Sequence, residues 1–214
     1  FPFKTVPDPN FSVIIPCYNE EEAIHDTIRR LRANLGRQDS YEIIVIDDGS
    51  IDGTAKLLAQ LSTEDLSLRI LTHERNMGYG AALKSGIQKS RSDIIVITDA
   101  DGTYPCEPIL DMLTLLNDAG ADMVVGSRTG ANVNYPFLRR IPKIFLRRYA
   151  SWIAGKNIPD LNSGLRIFRK SISLRFFNIL PDGFSFTTTI TLSMITNFYD
   201  VRYFPVDYAQ RVGR

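Results

Sequence analysis

Cysteine is scarce: Cys17 and Cys106 are the only two in 214 residues, and they lie far apart. That excludes a disulfide-stapled scaffold and a cysteine-built zinc site, leaving two buried, reduced thiols and a cytosol-facing compartment as the expectation. Histidine is as sparse, and neither His25 nor His73 has a second His or Cys at ligand spacing, so both read as surface or packing residues. Neither sign of charge dominates: the formal net charge is +1, so no global field attracts nucleic acid. No apolar run reaches the roughly 18 to 20 residues of a membrane span, and no signal peptide precedes the first apolar segment. Linkers rich in Pro, Gly or Ser are missing, as are internal repeats, so residues 1–214 read as a single domain. The chain opens on Phe1 rather than Met and closes on Arg214 just after a Val-Gly step. A piece of a longer protein is expected, with further C-terminal segments, membrane anchors among them.

What is present is an alternation. Residues 12–16, 43–47, 69–72, 94–98 and 123–126 are β-rich apolar runs, and residues 20–35, 54–61, 79–89 and 109–117 carry apolar positions at helical spacing between them. Repeated βα units with near-continuous apolar strands predict an α/β fold, Rossmann-like, with a mostly parallel central sheet and helices on both faces. Beyond Arg128 the pattern changes to a loop, a basic and apolar helix, and later strands at 165–168 and 201–204. The turn after the first strand reads Pro16-Cys17-Tyr18-Asn19-Glu20 in place of G-x-G-x-x-G, which argues against a nicotinamide site.

Two strands deliver acids where they end. Ile94-Ile95-Val96-Ile97-Thr98-Asp99-Ala100-Asp101 places two carboxylates one residue apart at the C-terminal edge of the sheet, where open α/β sheets bind ligands. Alternate carboxylates on a rigid strand end suit a hard divalent cation bridging to phosphates, although a lone D-x-D also caps helices or faces water. Asp48 ends the second such strand and suits an acceptor role toward a ribose or base edge, whereas Ser50 and Asp52 read as helix caps. Tyr18 offers a ring for stacking on a base and Glu20 an acceptor, or else residues 20–22 are an acidic first helical turn.

Five segments in order, Val13 to Glu20, Val45 to Ser50, Asn76-Met77-Gly78-Tyr79-Gly80-Ala81-Ala82, Asp99-Ala100-Asp101 and Gly126-Ser127-Arg128, resemble family 2 glycosyltransferases of the GT-A fold over nearly the whole chain. The resemblance implies a nucleotide-sugar half at about 11–128 and an acceptor half at about 129–214. It implies that Pro16, Tyr18, Glu20, Ile46 and Asp48 surround the nucleoside of a UDP- or GDP-sugar. It also implies that Asp99, Ala100 and Asp101 line the sugar diphosphate, with Asp99 and Asp101 holding Mg2+ or Mn2+ and Asp101 its most direct ligand.

Single displacement by a metal-assisted enzyme needs no covalent nucleophile, but a hydroxyl acceptor needs a general base. Many relatives place that acid within residues 184–190, where this chain has Thr187, Thr188 and Thr189. An acceptor that is already a phosphate anion needs cations instead, and Arg128, Arg139, Arg140 and Lys143 are the candidates, with a solvated basic face as the alternative for the last three. The resemblance thereby narrows to polyprenyl-phosphate glycosyltransferases of the dolichyl-phosphate mannose synthase type. Residues 134–140 look like their acceptor loop, residues 160–166 like their D-x-x-S-G element, and Arg211 begins what looks like their basic loop closing on the donor phosphates. Gly102-Thr103-Tyr104 departs from the Leu-Gln-His of mannose synthases, which removes a side-chain amide beside the cation and weakens an assignment of mannose or GDP. Leu138, Ile141, Phe145, Tyr149 and Trp152 share one helical face beside Arg139, Lys143 and Arg147, as in a helix lying on an anionic membrane surface or an ordinary core-facing helix. The expected setting is the cytoplasmic face of a membrane. Transfer to a sugar or protein hydroxyl, with Asp160 or Asp182 as base, is the enzymatic rival, and a catalytically silent nucleotide-binding module is the other.

Overall fold

The computed structural model describes residues 8–36, 41–64, 68–129 and 158–211. Its strands are β1 (Phe11–Cys17), β2 (Tyr41–Asp47), β3 (Leu68–Thr72), β4 (Ile94–Ile97), β5 (Met123–Ser127), β6 (Arg166–Arg169) and β7 (Val201–Pro205). The helices are α1 (Ile24–Leu35), α2 (Thr54–Glu64), α3 (Tyr79–Lys89), α4 (Ile109–Asp118), a short α5 (Lys170–Ser173) and α6 (Phe186–Thr196). Every residue of β1 is buried, the signature of a strand covered on both faces.

The strands form one sheet in the order β3-β2-β1-β4-β6-β5-β7. All neighbours pair in parallel except β6, which runs antiparallel to both β4 and β5. The first-half alternation anticipates the parallel strands. It does not anticipate β6 entering between β4 and β5 from about 40 residues downstream, because strand pairing at that range leaves no local pattern.

Alternation across the pleat divides the core. Val13, Ile15 and Val45 face one cluster with Ile28 and Leu31 of α1, Leu58 of α2 and Met112 of α4. Ile14, Ile44 and Ile46 face the other, with Leu83 and Ile87 of α3 and Ile190 of α6. Helix α3 approaches the sheet so closely that a Cβ at Gly86 would stand 2.6 Å from Ile14 Cγ2 and 2.8 Å from Ile46 Cδ1, so glycine is the residue this contact admits.

Helix α1 begins at Ile24 rather than Glu20, and the turn ahead of it is closed by the N–H groups of Ala23 and Ile24, which both reach the Glu20 carbonyl at 3.1 and 3.0 Å. Glu20 therefore sits at the end of the loop leaving β1, and the acidic residues 21 and 22 lie in the turn that leads into the helix. That loop is sewn to the β2–α2 loop. The Asn19 N–H donates to Ser50 Oγ at 3.0 Å, the Ile51 N–H to Asn19 Oδ1 at 2.9 Å, and the Glu20 N–H to Thr54 Oγ1 at 2.9 Å. Asp52 caps α2 as expected, accepting from the Thr54 N–H at 3.0 Å, whereas Ser50 is spent on Asn19.

Candidate active site

The ends of β1, β2, β4 and β5 open onto a cavity of about 590 Å³. Of the residues expected there, Pro16, Tyr18, Glu20, Asp48, Asp99, Ala100, Asp101, Arg128 and Arg211 all line it. Ile46 does not: its side chain is fully buried in the core, because the pleat points it onto the face of the sheet that α3 covers. Arg139, Arg140, Lys143 and the amphipathic helix expected from the sequence at 138–152 lie outside the described residues.

The two carboxylates of the D-x-D are held differently. Asp99 Oδ1 accepts from the Tyr79 hydroxyl of α3 at 3.0 Å. Gly164 presses on the same carboxyl group, where a Cβ would stand 2.6 Å from Asp99 Cγ. Asp101 Oδ1 accepts from the Thr103 N–H at 3.1 Å and the Thr103 hydroxyl at 2.7 Å. Thr103 thus fastens Asp101 through both its backbone and its side chain. Between them, the Ala100 carbonyl is tied to the Thr27 hydroxyl of α1 at 2.9 Å.

Acid crowds this end of the cavity. Burial, followed by the charge of Asp101, pushes the Asp99 carboxyl up to about 6. Burial pushes Glu20 up to about 7, with Asp101 and Asp99 adding to the rise and Arg211 opposing it. Arg211 pairs with Glu20 and brings its Nε to 4.0 Å from Asp101 Oδ2. Mutually destabilised oxygens around one opening are the donor chemistry of a hard divalent cation, which takes carboxylates from the protein and fills its remaining positions with phosphates and water. No cluster of three or more His, Cys, Asp or Glu forms a full protein cage among the described residues, so a cation here would depend on a bound phosphate ligand as well.

The D-x-x-S-G element braces the site from below. Asp160 clasps Arg128 in a fork, Nε to Oδ2 at 2.6 Å and Nη2 to Oδ1 at 2.8 Å, and the Arg128 guanidinium lies 5.3 Å above the Tyr208 ring. Those hydrogen bonds and the Arg128 charge overcome burial and hold the Asp160 carboxyl below its ordinary range. The Ser163 hydroxyl donates to the Gly126 carbonyl at 2.5 Å, and the Gly164 N–H donates to the Tyr104 hydroxyl at 2.7 Å. Arg166 of β6 is wholly buried. Its guanidinium donates to Thr187 O at 2.8 Å, to Thr191 Oγ1 at 3.0 Å and to the Ser163 carbonyl, tying the element to α6.

Several residues of the site escape sequence reasoning. Tyr79, Tyr104 and Arg166 lie in segments quoted for the resemblance, but spacing along the chain gives none of them a partner or a role. The Asp160–Arg128 pair joins positions 32 apart. His73 reads as a surface or packing residue, yet its Nδ1 lies 2.7 Å from Asp48 Oδ1 and its Nε2 2.9 Å from Ser85 Oγ. Phe184, at 84% exposure, stacks on Tyr79 at the rim with centroids 5.4 Å apart. Of the two suggested bases, Asp160 is clasped by Arg128 and Asp182 pairs with Lys84 at 2.8 Å with its carboxylate largely exposed, and neither lines the cavity.

A mixed sheet with one antiparallel insertion and an acidic cavity at its carboxyl edge is the GT-A class of sugar-transferring enzymes. A solved mannosyltransferase from Pyrobaculum calidifontis, in complex with GDP-Man and Mn2+, superposes with a TM-score of 0.70 at 22% identity over 97% of this chain and 58% of that one. The sequence profile of Glycosyl transferase family 2 matches residues 12–177, and the chain belongs to that family. Among curated relatives, polyprenol monophosphomannose synthase of Mycolicibacterium smegmatis is 29% identical over 93% of this chain and 77% of its own length. Dolichyl-phosphate hexose transferase of Haloferax volcanii is 30% identical over 95% of this chain and 85% of its own. Other curated relatives are longer, and the chain spans only about half of them, 52% and 50% in two cases.

Proposed function

We propose that this glycosyltransferase moves a sugar from a UDP- or GDP-linked donor onto a polyprenyl phosphate with inversion, at the cytoplasmic face of a membrane. The observation that carries the reading is the state of the carboxylates. Asp160 and Asp182 are in ion pairs away from the cavity lining, Thr187 stands at the cavity wall, and the acids that line it are Glu20, Asp48, Asp99 and Asp101, all from the nucleotide-sugar half. Among the described residues of the acceptor half, no carboxylate lines the cavity where it could deprotonate a hydroxyl. A phosphate oxygen is ionised near neutral pH and attacks the anomeric carbon directly, breaking its bond to the nucleoside diphosphate without a proton transfer. The curated relatives named for polyprenol monophosphomannose and dolichyl-phosphate hexose synthesis agree with such an acceptor.

In this reading Tyr18 and Asp48 receive the nucleoside, and Asp99 and Asp101 face the diphosphate. Mg2+ or Mn2+ held by those two acids would supply Lewis-acid stabilisation of the leaving phosphate. Tyr79, Gly164 and Thr103 keep the two carboxylates in place, so little reorganisation is needed as charge develops. Arg211 answers charge on the departing diphosphate, and Arg128, with Arg139, Arg140 and Lys143, holds the acceptor phosphate. None of the described helices is long and apolar enough to cross a membrane, so membrane contact is assigned to the basic amphipathic stretch at 138–152.

The test is transfer itself. With Mn2+ and a panel of UDP- and GDP-sugars, a short-chain polyprenyl phosphate should become glycosylated while free sugars and peptides do not. Transfer to hydroxyl acceptors in place of the lipid phosphate would overturn the reading. Flotation with anionic liposomes should carry the chain upward, and its absence would remove the membrane assignment.

A further inference from the structure

Within residues 160–164, Asn162 is the one residue that is exposed, and it lines the cavity. Its backbone N–H donates to Asp160 Oδ1 at 3.1 Å, and the same oxygen accepts from Arg128 Nη2 at 2.8 Å. Asn162 and the Arg128 guanidinium are thus anchored on one carboxylate, and both residues line the cavity. The Asn162 side chain is held from a second direction, because the Thr188 hydroxyl, in the first turn of α6 (Phe186–Thr196), donates to Asn162 Oδ1.

A side-chain amide offers one oxygen and an NH2 that only donates. With the oxygen bonded to Thr188, the NH2 is the polar group of Asn162 that has no hydrogen-bond partner among the described residues. Its neighbour Arg128 is likewise a pure donor, and two side-chain bonds to Asp160 answer much of its charge. Groups of this kind cannot take a proton from a hydroxyl. They can hold an oxygen that has already lost one, and they hold it by the direction of their N–H bonds more than by net charge. A phosphomonoester presents three terminal oxygens, one to attack and two to be held.

We infer that the Asn162 NH2 holds a phosphomonoester oxygen of the acceptor beside Arg128, and that Thr188 is the positioning residue that keeps the amide turned that way. The attacking oxygen forms its bond to the anomeric carbon as the bond to the nucleoside diphosphate breaks, and no proton moves. Asn162 bonds to an oxygen that does not attack, so it contributes binding and aim to the acceptor. A carboxylate in the same place would repel the phosphate. The amide nitrogen, standing where an aspartate would carry a second oxygen, is the feature that selects an anion.

The inference rests on the phosphate-acceptor reading proposed above, and transfer kinetics separate the two. With farnesyl phosphate as acceptor, Asn162→Ala should raise its KM by about tenfold or more with little change in kcat. Asn162→Asp keeps an oxygen for Thr188 but sets a charge against the phosphate, and the KM should rise by on the order of 100-fold. Asn162 is exposed, so both variants should keep the fold, which circular dichroism checks. Thr188→Val should raise the KM by a smaller factor, and Thr188→Ser should restore it. Affinity for the nucleotide-sugar donor, measured by calorimetry without acceptor, should stay unchanged in every variant. Repeating the series with glycerol phosphate tells a lipid-borne phosphate from a soluble one, and the same losses on whichever is glycosylated support the inference. An acceptor KM unmoved in Asn162→Asp overturns it while leaving the phosphate acceptor standing. Donor affinity falling in step with the acceptor overturns it too, by moving the amide to the donor side. A KM unmoved in Thr188→Val overturns the role of Thr188. Transfer by the unaltered chain to hydroxyl acceptors and to neither phosphate overturns the reading and the inference together.

Discussion

Asp99 is squeezed between a phenol and a glycine, and that makes Gly164 the most sensitive single position near the D-x-D. Adding one methyl at Gly164 drives a Cβ to 2.6 Å from Asp99 Cγ, and the carboxylate must move. A displacement of about 1 Å in such a group costs on the order of 10²-fold in rate. Gly164→Ala should therefore lower kcat by about that factor while circular dichroism stays unchanged, and near-normal turnover would show that Asp99 is not at the reacting centre. Asp101→Asn retains an oxygen for Thr103 but removes the charge. It should abolish the Mn2+ dependence of nucleotide binding in calorimetry, and an intact Mn2+ effect would transfer the cation to other ligands. Much of this was legible in sequence: the acids at 48, 99 and 101 end apolar strands, and that pattern alone brings them to one edge. The clasp on each was not, because Tyr79, Thr103 and Gly164 carry no sign of which distant carboxylate they will meet.

Among elements, the loop from Asp160 to Gly164 joins the two halves of the described structure. Arg128 ends the βα half, Asp160 begins the return toward β6, and the fork between them is almost dry, with side chains 10% and 11% exposed. Removing one partner of such a pair strands the other, at a cost of about 3 kcal/mol or more. Asp160→Ala should lose that much in urea denaturation, and a loss below about 1 kcal/mol would mean that Arg128 is hydrated or repaired by another acid. Tyr104→Phe leaves the buried Gly164 N–H without its acceptor, and about 1–3 kcal/mol of destabilisation is expected in the same assay. The element boundaries themselves were nearly all visible in periodicity: strand 43–47 against Tyr41–Asp47, helix 109–117 against Ile109–Asp118. Helix α1 was misjudged at its start because acidic residues favour both a first helical turn and an exposed loop, and the Asn19–Ser50 and Glu20–Thr54 bonds decided for the loop.

At the level of the whole molecule, the two kinds of buried acid give stability opposite dependences on pH. Asp99 and Glu20 titrate in the folded chain at about 6 and about 7, above their unfolded values, so the native state binds more protons and metal-free stability falls as pH rises from about 4 through 7. Asp160 and Glu42 are held below their ordinary values by Arg128 and by Ser12 with the Arg91 N–H, against their own burial. Their contribution is fully present above the unfolded carboxylate range and is lost as pH falls through the lower folded values. Thermal melts without divalent cation should therefore be highest near pH 5 and decline on both sides. Adding Mn2+ with a nucleoside diphosphate should lift the neutral side most, and a metal-free optimum at pH 8 would contradict the crowding of acids at the cavity. By itself the sequence determined the fold class, the parallel first half and the edge on which the acids gather, because strand and helix periodicity and the βα order are local properties. Only the tertiary structure decided that β6 enters antiparallel, that Arg128 is clasped by Asp160, and that His73 and Ser85 stand behind Asp48. Those contacts join residues 12 to about 70 positions apart, and no spacing along the chain encodes which side chains will meet once the sheet closes.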